Sequence, residues 1–201
     1  MAESNPNMLR NVRIVLWVLV LIVGVASTAF FLLAPPKSPI GNFPENFSIP
    51  RTDGTPFTKA DLVGTPTLMY FGYTFCPDVC PTTLAEMIQW RKALDLTPDQ
   101  LKYVFITVDP ERDTPEALAE YAAAFGDIIT LRGDEAQTET MKKAYGVVAE
   151  KYDDPGASDY LVNHTASVFM IDKNGNFVGT ISYGEATNAA MGKIEALMNR
   201  G

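Results

Sequence analysis

Apolar positions divide the chain into two regimes. Residues 14–34 contain no charged side chain and are dense in Val, Leu and Ile. As a helix, such a run is long enough to cross a bilayer core of ~30 Å at about 1.5 Å per residue. Beyond residue 42 the apolar positions come in short blocks separated by turn chemistry. Residues 67–71 form a compact apolar block, a strand candidate. Residues 81–94 place Leu84, Met87, Ile88 and Leu94 on one helical face. Residues 103–108 are continuously apolar or β-branched, as expected of a strand covered on both faces. Thr114-Pro115 supplies an N-cap followed by a proline at the first helical position, and Leu118, Tyr121, Ala122 and Phe125 give that helix its stripe. A strand over 128–131, a helix over 138–145 and a buried strand over 168–171 come next. Lys173-Asn174-Gly175-Asn176 signals a hairpin leading into 177–181, and Met191, Ile194, Leu197 and Met198 mark a last helix. Parallel units early and an antiparallel hairpin late describe an α/β domain with a mixed sheet and flanking helices. This is the thioredoxin arrangement. Only 147–163 fits poorly, and it reads as an inserted hairpin or loop.

Charge sets the topology. Arg10 and Arg13 precede the apolar run, whereas Lys37 is the one nearby base after it. The positive-inside tendency therefore predicts a cytoplasmic tail over 1–13, a transmembrane anchor over 14–34 and export of the chain from Pro35 onward. Ala26, Ser27 and Ala29 also resemble a cleavage site, although a signal peptide has a shorter apolar region of roughly 7–15 residues; an uncleaved, single-pass anchor is the expectation. Pro35, Pro36, Lys37, Ser38, Pro39 and Gly41 make 35–42 a stiff linker by composition, leaving 43–201 as the folded domain. No Arg-rich presequence precedes the span, which points to a bacterial inner membrane with the domain in the periplasm. Of 16 Lys/Arg and 24 Asp/Glu in the 201 residues, two bases and one acid lie before residue 35, so the exported part is strongly acidic. An acidic surface repels phosphate backbones, and nucleic acid is excluded as a partner.

Candidate chemistry centres on Phe75-Cys76-Pro77-Asp78-Val79-Cys80-Pro81, between a strand and a helix. Functional crevices of open α/β sheets lie at the carboxyl ends of the strands, and a helix N-terminus lowers thiol pKa values. A stapling disulfide would close a loop of about five residues and stabilise by only roughly 2 kcal/mol. Thioredoxin-type reductants separate their cysteines by two residues; here there are three. The spacing leaves both disulfide exchange and metal binding open.

His164, the one histidine in the chain, precedes the strand over 168–171. In the thioredoxin fold the turn into that strand lies against the cysteine pair and normally holds a cis-proline. Here the proline position falls near Ala166, and an imidazole stands two residues earlier. Cys76, Cys80 and His164 thus form a candidate ligand set of two thiolates and an imidazole. These donors suit copper, Cu(I) especially, whereas structural zinc normally takes four protein ligands. Asp78 is a candidate fourth ligand or a solvent-facing turn residue; Met87 and Met170 read as core. A second motif, Val108-Asp109-Pro110-Glu111-Arg112-Asp113-Thr114-Pro115, has four charges in five residues. That is more than capping requires, so an interaction role is expected.

Three separated segments, 70–82, 108–115 and Asn163-His164-Thr165, together resemble the Sco/SenC family of copper proteins that assist assembly of cytochrome c oxidase. The resemblance covers nearly all of the exported domain and includes the anchor. It implies a thioredoxin-like fold and copper held by Cys76, Cys80 and His164. It also implies a metallochaperone, not an enzyme, that delivers copper to the dinuclear centre of cytochrome c oxidase subunit II, with an upstream copper donor and a thiol reductant as further partners. Family members often carry Asp before the ligand histidine, where this chain has Asn163. The competing reading is a membrane-anchored thiol–disulfide oxidoreductase that uses Cys76 and Cys80, with a disulfide between them, to reduce oxidase-subunit cysteines. It has no chemical need for His164.

Overall fold

The computed structural model describes residues 6–33, 40–156 and 159–200. The chain forms two compact units, Met1–Ser38 and Pro39–Gly201. The first holds helix α1, Pro6–Leu33. Its stretch Arg10–Thr28 has a mean hydropathy of 2.0 and is long and apolar enough to cross a membrane. Ala34 and most of the linker expected over 35–42 lie outside the described residues.

The second unit opens with a small hairpin, β1 (Ser48–Pro50) and β2 (Pro56–Thr58), and a 3₁₀ turn over Lys59–Leu62. Then come β3 (Thr67–Gly72), α2 (Val79–Ala93), β4 (Lys102–Thr107), α3 (Pro115–Ala123), β5 (Ile129–Leu131) and α4 (Glu135–Tyr145). The last elements are β6 (Ala149–Tyr152), β7 (Leu161–His164), β8 (Ser167–Ile171), β9 (Phe177–Ser182) and α5 (Thr187–Met198). The five-stranded sheet has the order β5-β4-β3-β8-β9. β3, β4 and β5 run parallel, while β8 and β9 are antiparallel to their neighbours. This mixed sheet with flanking helices is the expected thioredoxin-like architecture. The segment that fitted poorly folds into a separate hairpin, β6–β7, inserted before β8.

Every residue of β3 is buried, which explains its unbroken apolar run. Alternation sends Tyr70 to one face, against Phe105 of β4, whose ring meets Tyr121 of α3. Phe71 goes to the other face, against Tyr145 of α4 and Phe169 of β8. Helix boundaries differ from the sequence reading where caps lie upstream of the apolar stripe. α2 starts at Val79, so Cys80 lies in its first turn and Pro81 follows in the third position. Proline is tolerated there because the first amides of a helix have no intrahelical acceptor. α4 starts at Glu135 because Asp134 and Gln137 form a capping box, and it ends where Gly146 turns left-handed. Thr114 caps α3 as expected, accepting from the Ala117 amide.

Candidate metal centre

β3 ends at Gly72, and the turn after it delivers Cys76, half-buried, and Cys80, buried, to the mouth of α2. The Cys80 amide donates to Cys76 Sγ at 3.3 Å. This is one of the unpaired donors of a helix start, and it favours a thiolate. His164 closes β7 and brings Nε2 to 3.3 Å from Cys80 Sγ. Nδ1 lies 3.2 Å from the Thr165 carbonyl. A proton on Nδ1, where that carbonyl accepts it, leaves the Nε2 lone pair facing the sulfurs. The donor atoms of Cys76, Cys80 and His164 all lie within 4.8 Å of one another.

The two thiols are electrostatically unequal. Hydrogen bonds from the Cys80 thiol, His164 and the Cys80 amide outweigh partial burial and lower the Cys76 pKa to about 4. Burial pushes Cys80 up, and the negative charge on Cys76 adds to that. The pair therefore holds one half-buried thiolate and one buried thiol.

Asp78 is exposed and accepts from the Thr82 hydroxyl at 3.3 Å, outside the donor cluster. Met87 and Met170 are buried in the core, as the sequence suggested.

Several residues around the site were not singled out by the sequence. Tyr70 is fully buried with its hydroxyl 3.8 Å from Cys80 Sγ. Tyr73 meets the His164 ring edge-on at 5.8 Å, and its hydroxyl accepts the Val162 amide at 3.1 Å. Gly72 lies beneath Cys80: a Cβ there would come within 2.9 Å of both Cys80 Sγ and the Phe105 ring. The block over 67–71 was legible as a strand, but period-2 alternation does not say which ring reaches the histidine.

The charged loop after β4 behaves differently from the expectation of a partner-facing surface. Asp109 and Asp113 are fully buried. Asp113 accepts from the Thr74 hydroxyl at 2.6 Å, the Thr74 amide at 3.2 Å and the Thr107 hydroxyl at 2.5 Å, pinning the cysteine loop. Burial raises its pKa against those bonds. Asp109 pairs with Arg112 at 2.6 Å, and Glu111 pairs with Lys151 at the surface. These charges find their partners within the loop, in the cysteine loop and on the β6–β7 hairpin, which composition alone does not reveal.

A cleft of about 270 Å³, lined by Cys76, His164, Tyr152 and Tyr183 among others, opens the site to solvent. A larger cavity of about 500 Å³ lies elsewhere, between the charged loop, α4 and the β6–β7 hairpin. It contains none of the three donors, so the chemistry belongs to the smaller cleft.

The sequence pattern of the family described as SCO1/SenC matches residues 36–199. The chain belongs to that family. An SCO2-like protein of Rickettsia prowazekii is 34% identical over 184 residues, covering 84% of this chain and 88% of the relative. Among solved structures, Bradyrhizobium japonicum ScoI with copper bound superposes on this Sco-family chain with a TM-score of 0.68 at 34% identity, covering 79% of this chain and 99% of ScoI. Yeast Sco1 with copper bound gives a TM-score of 0.68 at 31% identity, covering 78% of this chain and 87% of Sco1.

Proposed function

We propose that this protein is a copper carrier that binds its cargo through Cys76, Cys80 and His164 and delivers it during cytochrome c oxidase assembly, to the dinuclear centre of subunit II. The convergence of three donor atoms within 4.8 Å carries the reading, and the copper-bound relatives support the identity of the ion. Two sulfurs and one imidazole match the preference of Cu(I) for soft donors, while the nitrogen makes Cu(II) accessible. A cleft open at one side suits an ion that must leave again.

In this reading the chain has a tail over 1–13, a transmembrane span over 14–34, a linker over 35–42 and a domain over 43–201 in the bacterial periplasm. An upstream copper donor and a thiol reductant complete the partners. The apolar helix α1 and the two arginines, Arg10 and Arg13, at the N-terminal end of its hydrophobic stretch support this arrangement.

The inequality of the two thiols favours a second reading, thiol–disulfide exchange. In that scheme the Cys76 thiolate attacks a partner disulfide and Cys80 displaces the mixed disulfide. Two electrons pass to the partner, Cys76 and Cys80 end as a disulfide, and an external dithiol restores them. The experiment compares copper content and oxidase assembly in wild type, His164→Ala and Cys76→Ser/Cys80→Ser, using the full chain. As a carrier, His164→Ala loses Cu(II) sharply, Cu(I) less, and fails in assembly. Full oxidase activity with His164→Ala, together with failure of the cysteine variant, would replace the carrier by the reductase.

A further inference from the structure

His164 sits on a hairpin that the main sheet does not hold: β6 pairs with β7, and neither strand pairs with the five-stranded sheet. Contacts outside the sheet must fix where the imidazole stands. Tyr70 and Tyr73 meet the ring of His164 edge-on, and Arg112, in the loop after β4, packs behind Tyr73 and against the residue before β7. The Arg112 side chain is only 10% exposed. Nε donates to Asp109 Oδ2 at 2.6 Å and Nη1 to the Tyr160 carbonyl at 2.7 Å. The guanidinium carbon lies 3.6 Å from the centre of the Tyr160 ring, 4.8 Å from that of Phe75 and 5.8 Å from that of Tyr73. Tyr160 in turn donates its hydroxyl to Asp109 Oδ1 at 2.9 Å. One planar cation therefore touches the residue before Cys76, one of the two rings that meet His164 edge-on, and the residue that leads into β7.

Stability is a poor account of this arrangement. A buried guanidinium gives up its hydration, and Nη2 of Arg112 is buried with no hydrogen-bond partner among the described residues. A well-packed apolar side chain would hold the loops together without that cost. What the guanidinium supplies instead is fixed geometry: a rigid fork with directed bonds and a flat face for stacking.

We infer that Arg112 is a positioning residue that sets the imidazole of His164 against the two thiols, acting through Tyr73 and Tyr160. The inference rests on the reading of Cys76, Cys80 and His164 as copper ligands. Cu(II) depends on a well-placed nitrogen, whereas Cu(I) is held adequately by two thiolates. Loss of the clasp therefore separates the two oxidation states.

The test uses the full chain in detergent, with Arg112→Met, Arg112→Lys and His164→Ala beside wild type. Arg112→Met should weaken Cu(II) roughly 10–100-fold, the range for groups that orient a ligand. It should shift the thiolate-to-copper absorption band and leave Cu(I) affinity within a few-fold. Arg112→Lys keeps the cation over Tyr160 and one bond to Asp109, so part of the loss should return. Without copper, amide hydrogen exchange in Arg112→Met should rise over 161–164 and stay unchanged in the five-stranded sheet. If Arg112→Met does not fold, Tyr160→Phe, which deletes the hydroxyl that bonds Asp109 and meets Lys151 but keeps the ring under Arg112, is read in its place. Wild-type Cu(II) affinity and spectrum in Arg112→Met, or exchange that rises throughout the domain, would overturn the inference. Retention of Cu(II) by His164→Ala would instead overturn the ligand reading beneath it.

Discussion

His164 Nε2 stands 3.3 Å from Cys80 Sγ although 84 residues separate them in the chain. The contact exists because β8 lies next to β3 in the sheet, so the chain entering β8 passes the end of the strand that leads to the cysteines. An inserted hairpin uses that crossing point to add an imidazole to a thiol pair in which a helix start already favours Cys76 as thiolate.

Selective alkylation is expected from the inequality of the thiols. With its pKa lowered to about 4, Cys76 is a thiolate throughout the range from pH 5 to 8, where an ordinary thiol with a pKa near 9 is protonated. Its contribution to the stability of the reduced fold is fully present above about pH 9. It declines as the pH falls and is lost once the pH passes below about 4. Iodoacetamide at pH 6 should label Cys76 quickly and leave Cys80 untouched in the native protein, as read by peptide mass spectrometry. Equal labelling of both would contradict the geometry.

Oxidation should abolish copper binding. A Cys76–Cys80 disulfide consumes both thiolates, so copper content of the air-oxidised protein should drop close to zero and return after reduction. Acid should act in the same direction, because protons compete with the metal for the donors. Copper retained by the oxidised protein at the reduced protein's affinity would remove the thiols from the site.

Gly72→Ala tests the close approach of strand and helix. A Cβ at 2.9 Å from both Cys80 Sγ and the Phe105 ring must displace one of them. Overpacking of this kind costs about 1–3 kcal/mol, to be read as a lower urea midpoint. Displacement of the sulfur should weaken copper binding as well. A variant with wild-type stability and affinity would show that the strand yields more easily than a packed core allows.

Topology is checked with a reporter fused after Gly201. The bases at Arg10 and Arg13 predict an exported domain, so a periplasmic phosphatase reporter should be active. A reporter that works only in the cytoplasm would reverse the orientation.

Local chemistry made much of this protein legible from its sequence. The apolar blocks of β3, β4 and β8, the Thr114-Pro115 start of α3 and the Asn174-Gly175 turn before β9 each arise from backbone preferences acting over a few residues. So does the placement of Cys76 and Cys80 at a helix mouth. His164 could be matched to them only by knowing how such elements are arranged in a fold. The tertiary structure alone decided the rest. It turned Asp109, Arg112 and Asp113 inward, set Gly72 beneath a sulfur, and drew Tyr73 and Tyr160 around the hairpin that ends at His164. The physical reason is range. Periodicity and capping are set between neighbours a few residues apart, whereas the direction of a loop charge is set by whichever distant loop offers it a partner out of water.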